Sequence, residues 1–177
     1  DGKEVVIVAR ETNAKEDEPE AERRGPRFRE DKDPDQDASS TAGLRRIPNN
    51  SIGLTATEDN NTVAVKTDSS RQPLALDISV PRNTSVRAKT VNGGEITVTS
   101  VAGEQELSNV NGRSVAKDIA GSLVANTTNG TIRATFTEVT AGKAMSFNTF
   151  NGDVDVTFPA KLAATLRVTS GRGELYT

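Results

Sequence analysis

Four Asn-Gly pairs recur at nearly constant spacing in the second half of this 177-residue chain, and this constrains its fold more than any other feature. They stand in Thr90-Val91-Asn92-Gly93, Asn109-Val110-Asn111-Gly112, Thr127-Thr128-Asn129-Gly130 and Thr149-Phe150-Asn151-Gly152, with a degenerate Thr169-Ser170-Gly171 after them. Successive glycines are 19, 18, 22 and 19 residues apart. A second marker lies between them, in Val101-Ala102-Gly103, Ile119-Ala120-Gly121 and Thr140-Ala141-Gly142. Each period therefore contains two turns and two short strands. Self-similarity at about 20 residues is the mark of a solenoid, in which each coil is too small to bury a core alone and must stack on its neighbours.

The residues between the turns fit that reading. Apolar side chains alternate after the Asn-Gly corners at Ile96 and Val98, Val115, Ile132 and Ala134, and Val154 and Val156, so that a period of two places them on one face. After the Ala-Gly turns the same rule selects Leu107, then Leu123 and Ala125, then Ala144 and Ser146. Small residues among them imply a narrow core. Asn and Gly suit tight corners because they tolerate positive φ. The expected fold is all-β, a β-solenoid resembling a right-handed β-helix with about 18–22 residues per coil. An Asn-Gly pair between alternating strands is also a hairpin signal, so the alternative is a β-sandwich or meander. Ser51–Ala56, Thr62–Val65 and Leu74–Val80 read as the first coils.

Composition agrees and removes most chemistry. Only 33% of residues are hydrophobic and 3% aromatic, and there is no Cys, His or Trp. Without His and Cys there is no Ser-His-Asp or Cys-His nucleophile system, no ordinary zinc site and no disulfide. A net charge of −3, from 25 acids and 22 bases, gives no electrostatic footprint for nucleic acid. No apolar run reaches the length of a membrane helix, so no transmembrane segment is expected. No cofactor is expected either.

The charges concentrate at the start. Residues 1–13 contain the opening β-run around Val5, Val6, Ile7 and Val8; residues 14–42 read as a charged exposed loop or disordered insertion; and residues 43–177 read as the repeat domain, forming one domain with 1–13. From Ala14 to Ser40, 16 of 27 residues are charged, too few of the rest being apolar to repay ordering. Asp31, Asp33, Asp35 and Asp37 alternate as in the first half of a calcium loop, but Gln36 and Ala42 stand where the sharp-turn Gly and closing Glu belong.

Gly43-Leu44-Arg45-Arg46-Ile47 and the runs LALDISVPRNTSVRAKTVNGGEITVTSVAGE, ANTTNGTIRATF, MSFNTFNGDVDVTFPA and GRGELYT resemble a bacterial adhesin family of β-strand-repeat proteins of unknown function. The resemblance covers roughly residues 43–177. It implies a β-helix-like solenoid, export to the cell envelope or beyond, and no established catalytic activity. The chain departs from the family pattern in its long charged tract.

Three functions follow as expectations. The first is a non-enzymatic, exported structural or adhesin-like module whose turn ladder (Asn92, Gly93, Asn111, Gly112, Asn129, Gly130, Asn151, Gly152) orders polar faces for a protein or glycan surface. The second is a filament or scaffold subunit in which Val5, Val6, Ile7 and Val8 complete the sheet of another copy. The third is a polysaccharide lyase-like enzyme using Asp153 with Asp155, or Glu104 with Glu106, since alternate residues share a face. Arg82, Arg87 and Lys89, with Arg133, Lys143, Lys161 and Arg167 later, read as solvated cations. Phe136, Phe147, Phe150 and Phe158 read as core.

Overall fold

The computed structural model describes residues 4–11, 53–67, 74–92 and 94–176. The charged tract at 14–42, its four alternating aspartates and Gly93 lie outside the described residues. The chain divides into two compact units, residues 7–78 and residues 79–177 with 1–6.

In the first unit, β2 (Leu54–Asp59) and β3 (Thr62–Thr67) form an antiparallel pair, and β1 (Val6–Glu11) pairs with β4 (Leu74–Ser79). The turn between β2 and β3 is Asn60-Asn61, with φ of 47° and 60°. Two consecutive left-handed residues match the right-handed twist of a tight hairpin. This segment is therefore not the first coils of the solenoid, as the strand pattern had indicated. The hairpin arises where the sequence has Asn-Asn, whereas the Asn-Gly pairs serve stacked corners.

The second unit is a parallel β-solenoid with coils of about 18 residues. Its strands are β5 (Val86–Asn92), β6 (Ile96–Thr99), β7 (Ala102–Asn111), β8 (Ser114–Asn129), β9 (Ile132–Val139), β10 (Ser146–Asn151) and β11 (Val154–Thr157). They make two parallel stacks. The longer one runs β5, β7, the second part of β8, then β10, with Ala88, Leu107, Ala125 and Phe147 in one column. The shorter one runs β6, the first part of β8, β9, then β11, with Val98, Ala116, Ala134 and Val156 in one column. β8 belongs to both because it turns the corner at Asp118, whose φ is 51°; Ser100 turns the same corner one coil earlier at 56°.

The core lies between the stacks. Leu107, Ile119, Leu123 and Ile132 are its largest fully buried side chains, with Ala116, Ala125 and Ala134 filling the narrow places between them. Toward the C-terminal end the alanines give way to aromatic rings. Phe136 stacks on Phe158 with centroids 5.2 Å apart, and Phe147 meets both edge-on at 6.3 and 6.4 Å. Three of the four phenylalanines are thus core, as composition implied. Phe150 is 83% exposed.

Two predicted facings are corrected. Val115 is buried at 5% exposure, as expected of an apolar position, but it is in register with Thr97 and Arg133, and the positions facing the main core beside it are Ser114 and Ala116. In the last coil, Ser146 shares the column of Arg87, Glu106 and Val124, and Phe147 takes the inward place. The first follows from the extra residue in the corner between Asn92 and Ile96, and the second from the spacing of the later turn. Gly121 pairs with Val139, an offset of 18, but Val124 pairs with Ser146, an offset of 22. The four extra residues keep the alternation in phase, but Gly142 stands 21 residues after Gly121, so positions counted from it fall on the wrong face; Gly142 (φ 73°) turns the loop instead of stacking on Gly121.

One interior position is poorly matched. Gln105 is 3% exposed in a column between Val86 and Leu123, and neither its Oε1 nor its Nε2 has a hydrogen-bond partner. A buried amide without partners costs about 1–3 kcal/mol relative to a satisfied one. Replacing Gln105 with Leu is therefore expected to stabilise the fold by about 1 kcal/mol or more, read as a higher midpoint in urea denaturation; a lower midpoint would show that the amide is satisfied in solution.

Candidate functional site

The corner residues come first because repetition places them together. Asn92, Asn111, Asn129 and Asn151 occupy one register column across four coils. Asn129 Nδ2 donates to Asn111 Oδ1, and Asn151 Nδ2 donates to Asn129 Oδ1, both at 2.9 Å. These two amides each link their coil to the previous one. The glycines after them also stack, but beneath Gly112 the carbonyl belongs to Gly94, because the first corner holds one more residue than the others. Gly130 lies over Gly112, and Gly152 over Gly130.

The first residue of the last three four-residue motifs has a role that sequence reading missed. Asn109 Nδ2 donates to Gly94 O at 2.8 Å, Thr127 Oγ1 to Gly112 O at 3.4 Å, and Thr149 Oγ1 to Gly130 O at 3.0 Å. Each is an inward polar side chain that satisfies the corner carbonyl of the coil before it. The signal was available: Thr, Asn, Thr and Thr stand at this position, all short side chains with a donor.

The outward faces differ in charge. On the shorter stack, Arg133 Nε lies 3.1 Å from Asp155 Oδ2 and Arg113 Nη1 lies 3.5 Å from Glu95 Oε2. On the longer stack Arg87 Nε lies 2.7 Å from Glu106 Oε2, and Lys143 Nζ lies 2.7 Å from Glu104 Oε1. The bond from Lys143 holds the Glu104 carboxyl below its ordinary pKa and raises that of Lys143. Asp155 and Glu106 therefore bind cations of neighbouring coils and Glu104 a cation two coils away, three of the four carboxylates considered for sugar hydrolysis. A general acid needs its pKa raised; at Glu104 the shift runs the other way.

Past the Lys143–Glu104 pair, the outward side chains of β8 and β10 on the longer stack are uncharged. Val124, Asn126 and Thr128 alternate outward on β8, and Ser146, Asn148 and Phe150 alternate outward on β10. Asn148 Nδ2 donates to Asn126 Oδ1 at 3.0 Å and to Ser146 Oγ at 2.8 Å. A second amide rung thus runs beside the corner ladder, with Phe150 projecting next to it.

Val5, Val6, Ile7 and Val8 lie at the start of the chain, and Val6, Ile7 and Val8 belong to β1, which pairs with β4 of the same chain. Val6 and Val8 have their side chains exposed. Among the described residues no group of three or more His, Cys, Asp or Glu side chains is placed to hold a metal ion, and no helix is long and apolar enough to cross a membrane. No protein-family model, curated protein or solved structure matches the chain.

Proposed function

We propose that this chain is a non-enzymatic, exported surface module of adhesin-like character, which holds a protein or glycan surface through the outward ladders of its stacked coils. The observation that carries this reading is the run of amide bonds from Asn111 through Asn129 to Asn151, with Asn148 and Asn126 beside it. Parallel coils repeat each polar group about every 4.8 Å along the stack. Such a face offers many weak contacts at fixed spacing, and their sum becomes useful when several are made together. Export to the cell envelope enters through the family resemblance.

Adhesion of the labelled chain to immobilised protein and glycan surfaces tests the reading. Saturable retention without any shortening of the glycan supports it. Absence of retention on every surface, or depolymerisation of a polysaccharide, contradicts it.

A filament subunit is the second reading, and the ends of the strand stacks favour it. β10 and β11 are the last strands of their stacks, and beyond them Leu166, Val168, Leu175 and Tyr176 are exposed outside any strand. A terminal strand of a stack, followed in sequence by exposed apolar residues, is suited to strand addition by another copy. β1 is paired with β4 on one side within a two-stranded sheet, so Val5, Val6, Ile7 and Val8 would add to another copy through the other edge of β1, and the end of the stacks is a second candidate surface. Light scattering that stays monomeric across a wide concentration range would count against it.

A further inference from the structure

The geometry points to a binding site for a neutral glycan on the outer face of the last two coils, centred on Phe150. This rests on the surface-module reading above and narrows it to a ligand class and a place.

The argument begins with what exposes Phe150. Along β10, Phe147 points into the core against Phe136, and Thr149 turns inward to Gly130 O. Alternation then forces Ser146, Asn148 and Phe150 outward together. The inward places beside Phe150 are filled, so its ring stands 83% exposed on the sheet. A large apolar ring left in water on a face that is otherwise polar marks a contact surface.

Its neighbours determine what it can contact. Asn148 lies two residues away on the same strand, and Asn126 and Thr128 lie one coil below. Asn148 uses its Nδ2 on Asn126 Oδ1 and Ser146 Oγ, which fixes both amides and leaves Asn148 Oδ1 and Asn126 Nδ2 outside those bonds. A fixed acceptor and a fixed donor beside an aromatic ring match the hydroxyl groups and the apolar C–H face of a sugar ring. The side chains on this part of the face are all uncharged, whereas the shorter stack is laced with Arg133–Asp155 and Arg113–Glu95 pairs. These strands give an anionic polymer no cation, and Lys143, which precedes β10, is already held by Glu104, so nothing on them repays the desolvation of an anion and the class is a neutral polyhydroxyl chain. The site is shallow and each contact is weak. Successive sugars along a polymer supply the avidity.

The test is affinity electrophoresis of the whole chain through gels holding a neutral glucan, galactan or mannan, with polygalacturonate and heparin as anionic comparators. The same variants are assayed in parallel for adhesion to immobilised protein. Retardation is expected with at least one neutral polymer and neither anionic one, is lost in Phe150→Ala and returns in Phe150→Trp. Far-ultraviolet circular dichroism of Phe150→Ala checks that the coils remain folded, as an exposed side chain implies. No retardation by any neutral polymer, retardation by the anionic polymers, or equal retardation of Phe150→Ala overturns the site. If the wild-type chain still adheres to protein in any of those cases, the site alone fails and the surface-module reading stands.

Discussion

Substituting Gly121 with Val is expected to abolish cooperative folding of the solenoid, or to lower its Tm by roughly 10 °C or more. Two independent costs coincide at this position. Its φ is 126°, which a β-branched residue resists, at about 1–3 kcal/mol. A Cβ there would also collide with the carbonyl oxygen of Gly103 in the coil below, and that oxygen is backbone held by the parallel ladder. Neither side can yield without breaking the register of Ala102 with Ala120 and of Glu104 with Ser122. Gly112 carries the same pair of constraints, with φ 150° and the carbonyl of Gly94 beneath it. By contrast, Gly142 has φ 73° but nothing close to an added Cβ, so its substitution should cost only the backbone term. Thermal unfolding followed by circular dichroism measures the difference. A Gly121→Val variant as stable as wild type would mean that the coils are not stacked as described.

The second large effect is expected at Asn109. Changing it to Leu keeps the volume but removes the donor to Gly94 O and the longer bond to Arg113 O at 3.4 Å. Gly94 O then loses its side-chain partner while Arg113 O keeps the bond from Ile96 N–H, and loss of the unpartnered Asn109 Oδ1 offsets part of the cost, leaving about 1–2 kcal/mol. Asn109→Thr provides the control, because Thr fills this motif position in the other three repeats and Thr127 and Thr149 bond the equivalent carbonyls. Most of the lost stability should return with Thr. Chemical denaturation reads both variants. Equal losses in Leu and Thr would show that shape rather than the donor matters.

The solenoid was legible because stacking demands the same residue at the same corner, and Asn111, Asn129 and Asn151 display this openly. The facing of individual strands was legible only where hydrophobicity follows the fold. At Ser114 it does not: a small polar residue sits in a column shared with Ile96 and Ile132, and the adjacent Val115 drew the apolar assignment. Past Gly142 the facing was lost because the Ala-Gly marker stands 21 residues after Gly121 while the strands pair at an offset of 22, and the sequence does not show that Gly142 has left the stacked position. The Phe150 face was hidden for the same reason. Four phenylalanines in one region look like core, and only the register separates the one that alternates outward from the three that stack inside. The inward donors of the motif were visible as letters, but a hydrogen bond to the preceding coil appears only when residues 15 to 19 positions apart are known to be neighbours.

Register also gives the most direct measurement. Asn129 and Asn151 lie 22 residues apart in sequence but opposite each other on adjacent parallel strands, at a strand spacing of about 4.8 Å. A chain carrying Asn129→Cys and Asn151→Cys has no other thiol. Such neighbours are within the Cα range that a disulfide bridges. Mild oxidation at low concentration followed by mass spectrometry should yield an intramolecular crosslink, while a Cys pair at Asn129 and Arg133, on different faces of one coil, stays reduced. Failure of the first pair to close, or closing of both pairs alike, would contradict the stacked-coil ladder.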